Sequence, residues 1–508
     1  MKTRLTGGTH PSFRFQAGWF SSFTVEKVIQ LSDMRFILFE NASCPAMIVK
    51  YKSVKPVDKN YMFDYEVPKV DRHDPRKGIV TVLAEDQKKI MLTEVTSQSK
   101  DDNAPTILKK TFWGSLRDTQ FINRLQANPP LNQIVASLNE GKRWIKGQGV
   151  QPDTKGTSVT PQKPWWKPNH LFINAKSKLI NLILLKSDCY EIRDSFPVLH
   201  RPRDPKLFQG PMVLANQGFS KFAYVDFDIL FQDSLQSICG PKKDEDLLKF
   251  LAAVLKSNLS KYFLFHTSAN WGIERDKVHF FELLRLPFPL PESTPDPSKS
   301  EQIVKQVADC FERLKEDIQG NFLERKNSIK ETQGIIEPLI YDYYEISEQE
   351  KMLIEDTVNI LEPSSTPHSV KGNIPTLKPA TFENRKTYVD LLCEVLNSWG
   401  KRSKFKVSGE AKISTSIGLG IVTLRKSDSI KPYSENTTSD ALQSSLKRIT
   451  KTLPEEKGRF SYLRGLKVFE KNELHIVKPL ALRHWTRSAA LNDADEIAAA
   501  ILSAGRDN

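Results

Sequence analysis

A multidomain chain of mixed class, α/β and α+β, is what this sequence predicts, on three observations. Short β-branched and aromatic runs alternate with turn residues as far as the Pro/Ser-rich stretch LRLPFPLPESTPDPSKS, residues 284–300. Helical spacing of apolar residues then takes over, and after a second loose stretch, EPSSTPHSVKGNIPTLKPA, residues 362–380, helix and strand patterns mix again. The length of 508 residues allows about three domains. A hydrophobic share of 39% with 9% aromatics is enough to build buried cores.

Four segments follow in order. In the first, residues 1–115, VEKVIQLSDMRFILFE (Val25 to Glu40) predicts a helix or strand, and PAMIVKYK (Pro45 to Lys52) a buried strand. KGIVTVLAEDQKKIMLTEV adds two strand-like pieces. Together they read as the later strands of an α/β sheet whose earlier strands are absent.

The second, residues 116–295, mixes short strands, Pro-rich connections and one clear helix. That helix is DEDLLKFLAAVLKSNLSKYFLFH, with Leu247, Leu248, Leu251, Val254, Leu255 and Leu259 on one face. LINLILL (Leu179 to Leu185) is a core strand or helix, since no apolar run in the chain approaches the ~20 residues that cross a bilayer. The third, residues 296–362, is a helical arm in which Val304, Val307, Phe311, Leu314 and Ile318 form a seam at three-to-four spacing. ISEQEKMLIEDTVNIL gives a second amphipathic helix, with Ser347 as cap and Glu350 three residues on. The fourth, residues 381–508, opens with the helix NRKTYVDLLCEVLNSWG. It continues through the strands KFKVSGEAKISTS and GLGIVTLRK, a basic helix, further strands and an Ala-rich terminal helix.

Composition narrows the function classes. The N-terminal MKTRLTGGTHPSFRF lacks an apolar signal core, so a cytoplasmic protein is expected. Cys44, Cys189, Cys239, Cys310 and Cys393 have no zinc spacing and read as small buried hydrophobes, with no metal and no disulfide. The net charge of +13 is uneven. Gly141 to Lys221 holds 14 Lys plus Arg against 5 Asp plus Glu, an excess of +9, and Lys401 to Thr452 holds 11 against 4, an excess of +7. Positive charge concentrated beside aromatics favours a polyanionic partner, because each phosphate contact releases condensed counterions.

Three motifs suggest catalysis and fail on local grounds. In RLQANPPLNQIV, Asn128-Pro129-Pro130 resembles the signature with which adenine-specific DNA methyltransferases hold a target base. Leu131 stands where a stacking aromatic belongs, and TQFINRLQA before it is helical rather than a strand, so the motif is a decoy. The Gly pair in SIGLGIVTL (Ser416 to Leu424) reads as a hairpin, because no strand-turn-helix precedes it and no acid follows at the right distance. Asp390 with Glu410-Ala411-Lys412 imitates a nuclease set, yet Asp390 lies within a helical pattern. The nine histidines are dispersed, with no nucleophile triad in sequence. No catalytic, cofactor-binding or metal-ligating residue is therefore assigned.

The basic-aromatic stretches fit DNA better. EGKRWIKGQG brings Lys142, Arg143, Trp144 and Lys146 together with glycines. KPWWKPNH offers Trp165, Trp166 and Lys167 in a setting expected to expose the paired tryptophans, and HRPRDPKLFQG adds Arg201, Arg203 and Lys206. Such loops suit phosphate contact, stacking and base-edge reading by Arg. Lys221, Arg275 and Lys277 complete the candidate DNA contacts.

VEKVIQLSDMRFILFENASCPAMIVKYK resembles the part of adenine-specific DNA methyltransferases that lies after their Asn-Pro-Pro-aromatic motif, in the type I, type IIG and BREX-like modification enzymes. From about Asn132 the chain is similar to a TaqI-type target-recognition domain. IVASLNEGKRWIKGQGVQP matches its entry, and LLKFLAAVLKSNLSKYFLFHTSANWGIERDKVHFFELLRLPFPLP its exit. The resemblance covers the first two-thirds of the chain and leaves the last segment unassigned. It implies an incomplete Rossmann-like methyltransferase sheet remnant (residues 1–115), a mixed α/β target-recognition domain (116–295), the helical arm (296–362) and a small α+β domain of unknown role (381–508).

It implies no cofactor in this chain, with S-adenosylmethionine expected on a partner methyltransferase subunit, and double-stranded DNA as the other partner. The expected function is the DNA-recognition half of a split or truncated adenine methyltransferase in a prokaryotic restriction-modification or phage-defence system. The alternative is a stand-alone DNA-binding or assembly protein without catalytic activity.

Overall fold

The computed structural model describes residues 10–38, 45–58, 60–70, 82–96, 106–192, 198–216, 218–274, 277–365, 374–400, 406–450, 466–470 and 472–504. The fold is mixed α/β with four mixed sheets. The chain forms two compact units. One comprises Met1–Thr119, Gly272–Arg275 and Glu348–Asn508, and the other Gln120–Trp271 with Asp276–Ser347. The first and last segments of the sequence therefore share a unit, and the helical arm divides at Ser347.

In the first unit, strands Thr24–Gln30, Met47–Lys52, Met62–Glu66 and Gln87–Met91 make a four-stranded sheet. Thr24–Gln30 is central, antiparallel to Met47–Lys52 on one side and parallel to Met62–Glu66 on the other. The sequence reading expected PAMIVKYK to be buried. It is instead an edge strand, with Ile48 57% and Tyr51 49% exposed. Met47 and Val49 on its inner side reach the core only partly, because no further strand covers them among the described residues. The strand Met62–Glu66 went unpredicted, since YMFDYE is too short and too polar to show a clear period. Of the two pieces expected in KGIVTVLAEDQKKIMLTEV, Gln87–Met91 is a strand and Leu92–Thr96 a helical turn, while residues 77–81 lie outside the described residues. Phe20, Val28, Phe63, Tyr65, Ile90 and Phe112 form the core beneath this sheet.

The same unit holds a five-stranded sheet. Its main hairpin pairs Lys406–Ser414 with Leu419–Ser427, and Gly418, at φ +74°, turns the chain between them. SIGLGIVTL is thus a hairpin and not a phosphate loop. Helices Phe382–Trp399, Ser439–Thr450 and Arg487–Ala504 accompany this sheet, each where the sequence pattern predicts a helix.

In the second unit a six-stranded sheet runs in the order Val135–Ala136, Trp144–Gln148, Leu235–Cys239, Met212–Asn216, Phe222–Val225, Leu182–Ile183. A three-stranded sheet (Leu230–Phe231, His170–Ile173, Tyr190–Ile192) completes the β structure. The single helix expected at Asp244 to His266 is two, Glu245–Lys256 and Asn258–Thr267. Ser257 breaks it: its backbone is extended and its hydroxyl caps the Ser260 N–H at 3.2 Å. The arm helix Pro297–Gly320 buries Val304, Val307, Phe311, Leu314 and Ile318, the whole predicted seam. Helix Arg325–Tyr343 is anchored where Arg325 Nη1 meets Asp188 at 2.8 Å, while its Nη2 donates to the Leu179 and Ile183 carbonyls.

Candidate nucleic-acid interface

Two loops of the second unit, residues 150–168 and 198–208, are stitched to each other. Leu199, fully buried, exchanges backbone hydrogen bonds with Gln162 at 2.8 and 3.2 Å. The His200 N–H donates to the Gln151 carbonyl at 2.9 Å, and the Asp153 N–H to the Val198 carbonyl at 3.0 Å. The Ser158 hydroxyl donates to the His200 carbonyl at 2.6 Å, and the Arg203 N–H to Gln162 Oε1 at 2.8 Å. Both loops rest on the core through Val150, Trp166, Leu207 and Phe208.

This stitching gathers charge that is dispersed in the sequence. The two loops carry six cations, Lys155, Lys163, Lys167, Arg201, Arg203 and Lys206, against two carboxylates, Asp153 and Asp204. All but Arg203 are exposed, and none of those five has a carboxylate within ion-pair distance among the described residues. Exposed, unpaired cations on a braced backbone keep their charge available for phosphate oxygens. Sequence reading passed over Lys155 and Lys163. The signal that finds them is the joint charge count of the two loops, which needs the knowledge that the loops meet.

The other sequence candidates are employed differently. Arg143 forks onto Asp244 through Nε and Nη2, both at 2.8 Å, and the Trp144 indole donates to the same carboxylate at 2.9 Å. Trp144 is 1% exposed, so it is a core plug on the strand Trp144–Gln148 and not a stacking platform. The Arg143 guanidinium holds the Asp244 carboxyl below its ordinary value, outweighing its burial, with the Trp144 N–H adding to the effect.

The tryptophan pair expected to be exposed is also turned inward. Trp166 is 7% exposed, and Trp165 packs edge-on against it and tilted on Phe208. The apolar rings are worth more in the core than in water, and the prolines around them only shape the loop. Arg203 clamps the loop, its Nε on the Gly149 carbonyl at 2.9 Å. Gly149 itself has no room for a side chain, because a Cβ there would sit 2.3 Å from the Phe231 and Gln232 carbonyl oxygens.

Lys142 donates to the Asn132 carbonyl while remaining exposed, and Lys146 lies over the Phe280 ring at 5.8 Å. The Lys221 ammonium donates to the Ala175 carbonyl. Lys277 is half-buried, and Arg275 lies outside the described residues.

The decoy motifs have ordinary roles. Asn128-Pro129-Pro130 follows the helix Leu116–Gln126, the Asn128 amide donates back to the Leu125 carbonyl at 3.2 Å, and the Pro129 carbonyl accepts the Phe288 N–H at 2.8 Å. Asp390 pairs with Lys386 on its own helix, Glu410 with Arg425, and Lys412 with the Ser445 hydroxyl.

Glu470, Glu473 and His475 converge within metal-ligand range, but a guanidinium already serves them. Arg448 Nη2 lies 2.9 Å from Glu473 and 2.8 Å from His475 Nε2. Because guanidinium only donates, Nε2 is the acceptor and Nδ1–H points to the Thr423 hydroxyl at 3.0 Å. The cysteines are free among the described residues, and burial pushes the Cys189, Cys239 and Cys393 thiols up to about 12, out of reactive range. No described helix is long and apolar enough to cross a membrane. Comparison with protein-family models gives no match, and comparison with curated proteins gives no significant relative.

Proposed function

We propose that this chain supplies DNA recognition to an S-adenosylmethionine-dependent, adenine-specific DNA methyltransferase of a prokaryotic modification or defence system. The catalytic pocket then belongs to a partner subunit. The observation that carries the DNA reading is the stitched loop pair with its exposed cations, unpaired among the described residues. The methyltransferase reading rests on the sequence resemblance and is supported by the edge of the four-stranded sheet that no further strand covers among the described residues. There Met47–Lys52 leaves the apolar side chain Ile48 exposed, while Tyr51 packs on Trp19 and Phe23. In this reading the sheet is a remnant of a Rossmann-like methyltransferase sheet that the partner completes by strand addition. The loops hold the duplex while the partner everts the adenine.

The test is a methylation assay on adenine-containing duplex DNA with the purified chain, the partner, and the two mixed. Methyl transfer only in the mixture is the expected result. Transfer by this chain alone, or tight S-adenosylmethionine binding to it by calorimetry, overturns the proposal.

A further inference from the structure

The first unit contains a cleft of about 140 Å³, remote in sequence from the basic loops. Lys69, Phe112 and Trp113 form one wall; Leu361, from a π-helical turn, and Ser488 and Asn492, from the terminal helix, form others. Lys69 is 7% exposed. Its ammonium donates to the Val67 carbonyl at 2.6 Å and lies 4.2 Å from the Phe112 ring centre and 4.9 Å from that of Trp113. An ammonium has three N–H donors, and one carbonyl satisfies one of them. No carboxylate lies within ion-pair distance of it among the described residues.

The acids around the cleft are committed elsewhere. Glu85 and Asp86 pair with Arg483, and Asp493 with Lys478 and Lys467. Glu496 pairs with Lys467, and Asp118 accepts both the N–H and the hydroxyl of Ser115 at 2.7 Å. Among the described residues the unmet donors in the cleft are those of Lys69, and they lie against two aromatic rings. Burial lowers the Lys69 ammonium to about 8, Asp86 and Asp33 oppose that only through space, and an anion hydrogen-bonded at the remaining donors offsets more of the cost. Flanking carboxylates disfavour a dianion more than a monoanion. The volume is close to the ~150 Å³ that accommodates benzene in an engineered apolar cavity.

We propose that this cleft binds a small organic carboxylate, with its oxygens on the Lys69 ammonium and its apolar body beside the half-buried Trp113. The site is independent of the DNA reading. Because its walls come from both ends of the chain, an occupant also braces the N-terminal sheet region against the terminal helix within the unit.

Calorimetric titration of the full chain with sodium benzoate tests this, with benzyl alcohol and inorganic phosphate as comparators. Benzoate is expected to bind, and Lys69→Met to weaken it by about tenfold or more, the loss of a charge-assisted hydrogen bond. Reductive methylation of the wild-type chain, read by peptide mass spectrometry, gives a measurement that needs no variant: benzoate is expected to protect Lys69 selectively. Three results each overturn the proposal. They are no benzoate binding, equal or tighter binding of either comparator, and methylation of Lys69 unaffected by benzoate.

Discussion

Replacing Lys163, Lys167, Arg201 and Lys206 together by alanine tests the proposed DNA interface at its most quantitative point. All four side chains are exposed and free of carboxylate partners among the described residues, so truncating them leaves the core and the loop stitching intact. If each neutralises one phosphate, the slope of log K against log salt falls by ~3.6, at about 0.9 per contact on duplex DNA. Between 50 and 200 mM salt the wild-type affinity should then drop roughly 150-fold more than that of the variant. Fluorescence anisotropy with a labelled duplex across that salt range reads the slope directly. Arg143→Met is the contrasting control. Its guanidinium is spent on Asp244, so the slope should stay unchanged while stability falls. An unaltered slope in the quadruple variant, or a reduced one in Arg143→Met, refutes the assignment of these loops.

Further outcomes follow from individual contacts. Arg325→Met leaves Asp188, whose side chain is 1% exposed, as an uncompensated buried charge. It should cost about 3–5 kcal/mol in denaturant unfolding, and adding Asp188→Leu should recover much of it. Ile48→Lys lies on the open sheet edge and should alter the stability of the isolated chain by less than about 0.5 kcal/mol. It should nevertheless weaken capture of the proposed methyltransferase partner in a pull-down; undiminished capture moves the proposed contact elsewhere. Burial first, and the Arg448 guanidinium second, push His475 below its ordinary pKa of 6.5. The unfolded chain then binds the proton more readily. The stability contributed by the neutral ring is complete above about pH 6.5 and is lost as pH falls from there through the folded value. Thermal melts between pH 5 and 8 should flatten in His475→Gln, and an unchanged pH profile removes His475 from the account.

Helices with a long period were legible before any coordinates. The seam from Val304 to Ile318 stands where apolar spacing puts it, and the last segment holds the opening, basic and Ala-rich helices its sequence suggests. Short elements were not. Met62–Glu66 carries too few residues to declare a period, and Ser257 splits a helix because a hydroxyl cap competes locally with helix continuation. The site was half legible. Arg201 and Lys206, candidates by charge, remain exposed, whereas Arg143, also a candidate by charge, is paired with Asp244, and Trp144 and Trp166, candidates for stacking, are buried.

From its sequence alone this protein has its mixed α/β class, the apolar seam of the helix Pro297–Gly320 and its excess of positive charge, because composition and periodicity are properties of neighbours along the chain. Which cations stay free is a matter of tertiary structure. Asp244 lies 101 residues from Arg143 and removes it from service, while pairing of residues 150–168 with 198–208 assembles the free ones. Ion pairs and loop contacts between distant segments are fixed by packing, and packing leaves no mark in any local window.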